Sequence, residues 1–228
     1  MQIRFSDYNN ADDIIAGGYA REWDELRQVL SAMPLHLKAS DQAGKQGQAI
    51  FDPVGTNEHI AQALTSPQYG WEAGVPIPAP FAFLGTGIDF GKNGVVVEVQ
   101  FSNYPFLLNN TIRSELFFRA DTVFHQSPTR LIVIVTKAGM FPSSNSTLYY
   151  EQAVNQLTAL AQHQVFTVPI RLVGLFESTG TVPAMWTDYS AARYSRTVVG
   201  VRTQRPFTIT NGRAGRCRID PVIDLSAL

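Results

Sequence analysis

The chain has 228 residues, 45% of them hydrophobic and 16% charged, and a formal net charge of −1. That length suits one domain, or one domain with a small appendage, and the composition is that of globular material with a real core. It excludes a membrane span, which needs about 18 consecutive apolar residues, and an intrachain disulfide, because Cys217 is the only cysteine. A thiolate zinc cluster is disfavoured for the same reason.

The start, "MQIRFSDYNNADD", is polar and acidic where a signal peptide needs an apolar stretch, so a cytoplasmic setting is expected. Asp7, Asp12 and Asp13 read as solvated or helix-capping acids. Residues 21–33 place Trp23, Leu26, Leu30 and Met33 at helical spacing, and Pro34 ends the segment. A loop is expected over 38–48, then a short helix over 56–64 capped by Thr56 or Asn57. Four helix breakers within ten residues (71–80) predict an extended connector over 69–83.

The most regular stretch follows. "FAFLGTGIDF" (81–90) and "VVVEVQF" (95–101), joined by "GKNG", read as an antiparallel hairpin. Residues 107–121 read as a helix, and "LIVIVTK" (131–137) as a strand buried on both faces. The stretch 145–164 carries a cap signal and then a stripe of Tyr150, Ala153, Val154, Leu157, Leu160 and Ala161, which predicts a helix; "VPIRLVGLF" (168–176) is another strand. Strand, helix and strand in that order predict an α/β fold. From 177 onward, short Thr/Val/Arg runs with Gly and Pro predict small strands and loops.

Charge is uneven along the chain. Residues 1–189 sum to −6 and residues 190–228 to +5, with seven arginines, all ahead of Asp220, and no lysine. Such a segment is either a solvated extension or a nucleic-acid-facing one; arginine suits phosphate and guanine contacts.

The hairpin holds the chemistry. Glu98 and Gln100 are two residues apart on an apolar strand and point to one face. Asp89, near the end of the preceding strand, can converge on them. Two close carboxylates repel unless a cation sits between them, and Mg²⁺ commonly uses one or two carboxylates plus water and a substrate phosphate. The other reading is an edge hairpin whose polar face is merely wet. The spacing of Asp89, Glu98 and Gln100 is similar to the nuclease signature Asp…(Asp/Glu)-x-Lys, with glutamine in place of lysine. Glutamine can position a water or a phosphate oxygen but brings no positive charge.

Four longer segments are more specific: "MPLHLKASDQAGKQGQAIFDPVGTNEHI", "FLGTGIDFGKNGVVVEVQFSNYPFLLNNTIRSELF", "FPSSNSTLYYEQA" and "RYSRT". In order and over roughly residues 1 to 198, they resemble the BglII-like type II restriction endonucleases of the PD-(D/E)xK superfamily. The resemblance implies a mixed-sheet nuclease core over 1–176 flanked by helices. A smaller β-rich, DNA-contacting part would follow over 177–228, with the boundary approximate and one continuous domain as the alternative. It implies a homodimer that cuts double-stranded DNA at a palindrome with central GATC, AGATCT favoured, leaving 5′-GATC overhangs. Mg²⁺ is the implied cofactor, Mn²⁺ an alternative, and a companion DNA methyltransferase the implied partner in the host.

Carried over by position, Asp89 and the Val99 carbonyl would bind metal, and Glu98 and Gln100 would orient or activate the attacking water. Base recognition would fall to Ser102, Asn103, Asn145, Ser146, Tyr194 and Arg196, with Arg113 supporting the recognition or phosphate-contact surface. Helix capping is the alternative role for Asn145 and Ser146. Two positions depart from the family pattern: Gly74 stands for an asparagine and Ala192 for a lysine. A palindromic target calls for a two-fold protein, for which the helices at 107–121 and 145–164 are candidates. Tyr149 and Tyr150 read as core or interface aromatics. His36, His59, His125 and His163 are scattered and show no ligand spacing. The rival readings are a DNA-binding protein that has lost cleavage and a phosphodiesterase acting on another nucleic acid.

Overall fold

Near-continuous apolar runs bounded by turn residues build the centre of the molecule, which a computed structural model describes over residues 1–144, 146–191 and 195–222. The chain opens with β1 (Gln2–Tyr8), α1 (Ala11–Ile14), a π-helical turn (Ile15–Tyr19) and α2 (Ala20–Ala32). Next come β2 (Leu35–Ala39), β3 (Ala49–Phe51), α3 (Pro53–Leu64), β4 (Glu72–Pro76), a 3₁₀ turn (Ala79–Leu84), β5 (Gly87–Lys92) and β6 (Val95–Val99). After α4 (Tyr104–Arg119) and a small hairpin of β7 (Val123–Phe124) and β8 (Ser127–Pro128) lie β9 (Leu131–Lys137), α5 (Tyr150–Gln162) and β10 (Ile170–Phe176). The C-terminal part adds β11 (Gly180–Thr187), β12 (Thr203–Asn211) and β13 (Cys217–Pro221).

The main sheet has six strands in the order β1-β10-β9-β6-β5-β4, with β10, β9 and β6 parallel and the outer pairings antiparallel. Every residue of β9 and β10 is buried, as expected where helices cover both faces of a parallel sheet. The fold is thus α/β with a mixed sheet flanked by helices. A second sheet of five strands, β13-β12-β11-β2-β3, joins the C-terminal strands to two from the first quarter of the chain, through the parallel pairing of β11 with β2.

Several sequence expectations shift. The supposed strand over 81–90 is a 3₁₀ turn followed by β5, because Pro78 and Pro80 cannot serve a ladder. The connector over 69–83 contains β4, an edge strand that tolerates Pro76 for lack of an outer neighbour. The third helix starts at Pro53, and its cap is Asp52, whose carboxylate accepts from the Val54 N–H at 3.1 Å; neither Thr56 nor Asn57 fills that role. The polar N-terminus is a strand, and Asp7 is no solvated acid: it holds the buried Arg171 through two bonds of 2.6 and 2.7 Å. The histidines are not all scattered, since His36 and His59 meet edge to face with ring centroids 5.3 Å apart.

Candidate active site

The β5–β6 turn sets the geometry. Asn93 and Gly94 both have positive φ, 49° and 87°, as a two-residue hairpin turn requires. A side chain at Gly94 would also meet the Pro128 carbonyl at 2.6 Å. The turn end of β5 is anchored by the buried Lys92, which bonds Glu25 of α2 at 2.6 Å. Phe90 pairs with Val97, and continuing that register by one residue sets Asp89 beside Glu98.

The contacts agree. An oxygen of the Asp89 carboxylate accepts from the Val99 N–H at 2.7 Å. Glu98 is buried and takes its counter-charge from Arg113 of α4 at 2.5 Å. Gln100 lies just past the end of β6. Its amide oxygen accepts from Asn110 of α4 at 3.3 Å, and its amide nitrogen donates to the Ser102 hydroxyl. The polar face of the strand is therefore covered by α4, with Asn110 and Arg113 one turn apart on the facing side.

Burial pushes the Glu98 carboxyl up to about 7; the negative Asp89 adds to the rise, and Arg113 opposes it. Asp89 is raised in the same direction by desolvation, against the Val99 N–H bond and the Arg113 charge. Both acids are thus poised to gain from a cation. Among the described residues, no three His, Cys, Asp or Glu side chains converge as a metal cage. The oxygen donors present, the Asp89 carboxylate and the Val99 carbonyl, suit a hard cation that keeps most of its waters.

The other sequence candidates fall into groups. Ser102, Asn103 and Ser146 are brought together: the Ser146 hydroxyl donates to the Phe101 or Ser102 carbonyl, at 2.7 and 2.8 Å, and Asn103 accepts from Thr147 at 3.2 Å. Ser146 does not cap α5, which begins at Tyr150 with no side-chain cap. Arg113 lies in the acidic site, paired with Glu98, and its Nε is buried without a partner. Arg196 is exposed in the loop closed by the Tyr189–Val198 bridge. Asn145, Tyr194 and Ala192 lie outside the described residues. Sequence reading missed Asn110 and Lys137; the Asn110/Arg113 spacing on a helix after an acidic strand is a signal for the first.

The profile of the family described as Restriction endonuclease BglII/BglIII matches residues 3–175. The type II restriction enzyme BglII of Bacillus subtilis is 54% identical over 199 residues, 87% of each chain. The chain belongs to the BglII/BglIII restriction endonuclease family. It is a type II restriction endonuclease. A crystal structure of BglII complexed with a DNA 16-mer matches this enzyme with a TM-score of 0.92 at 49% identity, covering 97% of this chain and all of the other. Free BglII matches with a TM-score of 0.75 at 46% identity and the same coverage.

Proposed function

We propose that the enzyme hydrolyses double-stranded DNA as a homodimer at a palindrome with central GATC, most simply AGATCT, with Mg²⁺ and leaving 5′-GATC overhangs; Mn²⁺ can substitute. The observation that carries this reading is the bond from Gln100 to Ser102, which ties the acidic site directly to a segment suited to reading bases. Asn and Ser side chains can bond adenine or guanine edges, and an exposed arginine such as Arg196 can bond guanine.

Asp89 and the Val99 carbonyl would hold the metal. When bound, it neutralises charge on the phosphate and lowers the pKa of an attacking water. Glu98, fixed by Arg113, accepts a hydrogen bond from that water and aims it in line with the scissile bond. The Gln100 amide, steadied by Asn110, donates to the water or to a phosphate oxygen.

Two further features support the reading. Tyr104, Leu108, Ile112 and Leu116 repeat every four residues on α4 and are 37–45% exposed, an apolar stripe fit for a two-fold partner. The exposed residues of α5 are Glu151, Asn155, Ala159 and Gln162, with no large apolar side chain among them, so α4 is the better dimer helix. Lys45, Arg213, Arg216 and Arg218 line one cleft beside Pro142 and Ser143, which suits the second sheet, and the chain beyond residue 176, to a phosphate backbone.

The test is a plasmid digest with Mg²⁺ and with EDTA, followed by end-sequencing. Metal-dependent fragments ending in 5′-GATC are expected, and the sequenced ends fix the outer base pair. An intact plasmid that still shifts on a gel would select the reading in which cleavage is lost, for which Gln100 and Gly74 are the departures to examine.

A further inference from the structure

Lys137 ends β9 and is fully buried, a costly place for an ammonium group unless its protons are satisfied. Nζ donates to the Phe101 carbonyl at 3.1 Å, to the Leu148 carbonyl at 3.0 Å and to the Ser146 hydroxyl at 2.5 Å. Its hydrogen-bond partners among the described residues are neutral oxygens, and the Tyr149 ring covers it at 4.7 Å. Arg216 lies against the same ring at 5.4 Å.

The acceptors belong to two connections: residues 100–103, between β6 and α4, and residues 138–149, between β9 and α5. Ser102 and Asn103 in the first and Asn145 and Ser146 in the second are the side chains expected to read bases. These two segments are assigned the inner pairs, and the Arg196 loop is left for the outer one. Ser146 completes the junction by donating a hydrogen bond to the Phe101 or Ser102 carbonyl. The N–H groups of Thr147 and Leu148 both donate to the Ser102 carbonyl at 3.1 Å. Backbone oxygens from separate segments converge here with too few backbone donors to satisfy them. Lys137 Nζ reaches one carbonyl from each connection, Phe101 and Leu148, and the Ser146 hydroxyl between them, which a group with several donors on one atom can do at once.

We propose that Lys137 is a specificity-determining positioning residue: it locks the two base-reading connections together while touching no base itself. The proposal rests on the reading of those connections as the recognition segments. A side chain that contacts one base sets discrimination at one position. A clamp sets it at every position the two connections read.

The test uses the full-length enzyme, with cleavage in Mg²⁺ and binding in Ca²⁺ measured on AGATCT duplexes and on duplexes with each inner base pair replaced in turn. Lys137→Met is expected to lower discrimination about tenfold or more at both inner positions of the half-site. Non-specific affinity and its salt dependence should stay unchanged, because no phosphate contact is lost. Unaltered discrimination, whatever the change in melting temperature or overall rate, would overturn the proposal and leave Lys137 a folding element.

Ser146→Ala, on a partly exposed loop, decides the matter should the methionine variant not fold. Loss at both inner positions supports the clamp; loss at one position or none overturns it. A parent enzyme with no preference for its site would sink the functional reading and the clamp with it. A specific parent with equally specific variants sinks the clamp alone.

Discussion

Asp89 and Glu98 meet through a two-residue turn and strand register, whereas Ser102 and Ser146, 44 residues apart, meet through a hydrogen bond from the Ser146 hydroxyl to the Ser102 carbonyl, beside the buried Lys137 Nζ. The first arrangement is local: once Asn93 and Gly94 turn the chain, the alternation of side chains puts the acids on one face. The second depends on tertiary packing, because nothing within either connection orders it without the other. On the function proposed above, chemistry sits on the sheet and base reading on its rim, with Gln100 as the joint. Substitutions on the sheet should remove turnover and spare specificity; substitutions at the rim should do the reverse.

The largest expected effect is on the sheet. Asp89→Asn should lower cleavage by on the order of 10³-fold or more, while site-specific binding in Ca²⁺ largely survives, since the amide oxygen can still accept from Val99. Gel shifts and single-turnover assays on one duplex check both halves. Loss of folding, or of all binding, would make Asp89 structural and erase the contrast with the rim.

Arg113→Met comes next. It leaves Glu98, which is 3% exposed, without its counter-charge. Because burial already holds that carboxyl at about 7, it can neutralise by taking up a proton, so the cost should be about 1–3 kcal/mol at pH 7 and should grow as pH rises. Urea unfolding should show that loss, and adding Glu98→Gln should recover much of it. A cost below about 1 kcal/mol, as for an exposed pair, would mean that the acid is better hydrated than its burial implies.

These two regions were unequally legible in the sequence. The hairpin, β9, β10 and α2 could be read because their turn residues and apolar periods are local. Asp89, Glu98 and Gln100 could be picked out because a carboxylate and an amide inside a valine run are anomalous without a task. Lys137 gave no such signal: at the end of "LIVIVTK" it looks like an ordinary strand-ending lysine, and its acceptors come from two other segments. Asp7, His36 and Asp52 were misread or passed over for a like reason, since their partners lie between 23 and 164 residues away. The second sheet was only half visible, because β2 and β3 are recruited to it across more than 140 residues of chain.

A pH experiment separates global stability from both regions. His36 on β2 is buried with both ring nitrogens unpartnered, and burial, helped by the nearby His59 and Arg202 charges, lowers its pKa to about 4. Its unfolded value is about 6.5, so the unfolded chain binds more protons between those values. Stability from this group is therefore complete above about pH 6.5 and is lost as pH falls towards 4, by up to about 3 kcal/mol. His36→Leu should flatten the slope of unfolding free energy between pH 7 and pH 5 and leave the cognate-to-altered-site ratio at pH 7 unchanged. An unchanged slope would place the acid sensitivity elsewhere.

The smallest effect concerns a third way of holding a recognition segment. The Tyr189 hydroxyl donates to the fully buried Asp52 carboxylate, at 2.8 and 3.0 Å to its two oxygens, and burial together with that negative charge drives the phenol pKa upward. The same carboxylate caps α3, so one acid fixes both a helix start and the base of the 189–198 loop that carries Arg196. Tyr189→Phe leaves the carboxylate with the Val54 N–H and should cost about 1–3 kcal/mol in urea unfolding. If Arg196 reads the outer base pair, as proposed, discrimination should fall there and hold at the inner ones. The opposite pattern would mean that the anchor at Asp52 and the clamp at Lys137 act as one unit. The rim would then be a single rigid surface instead of two independently held reading heads.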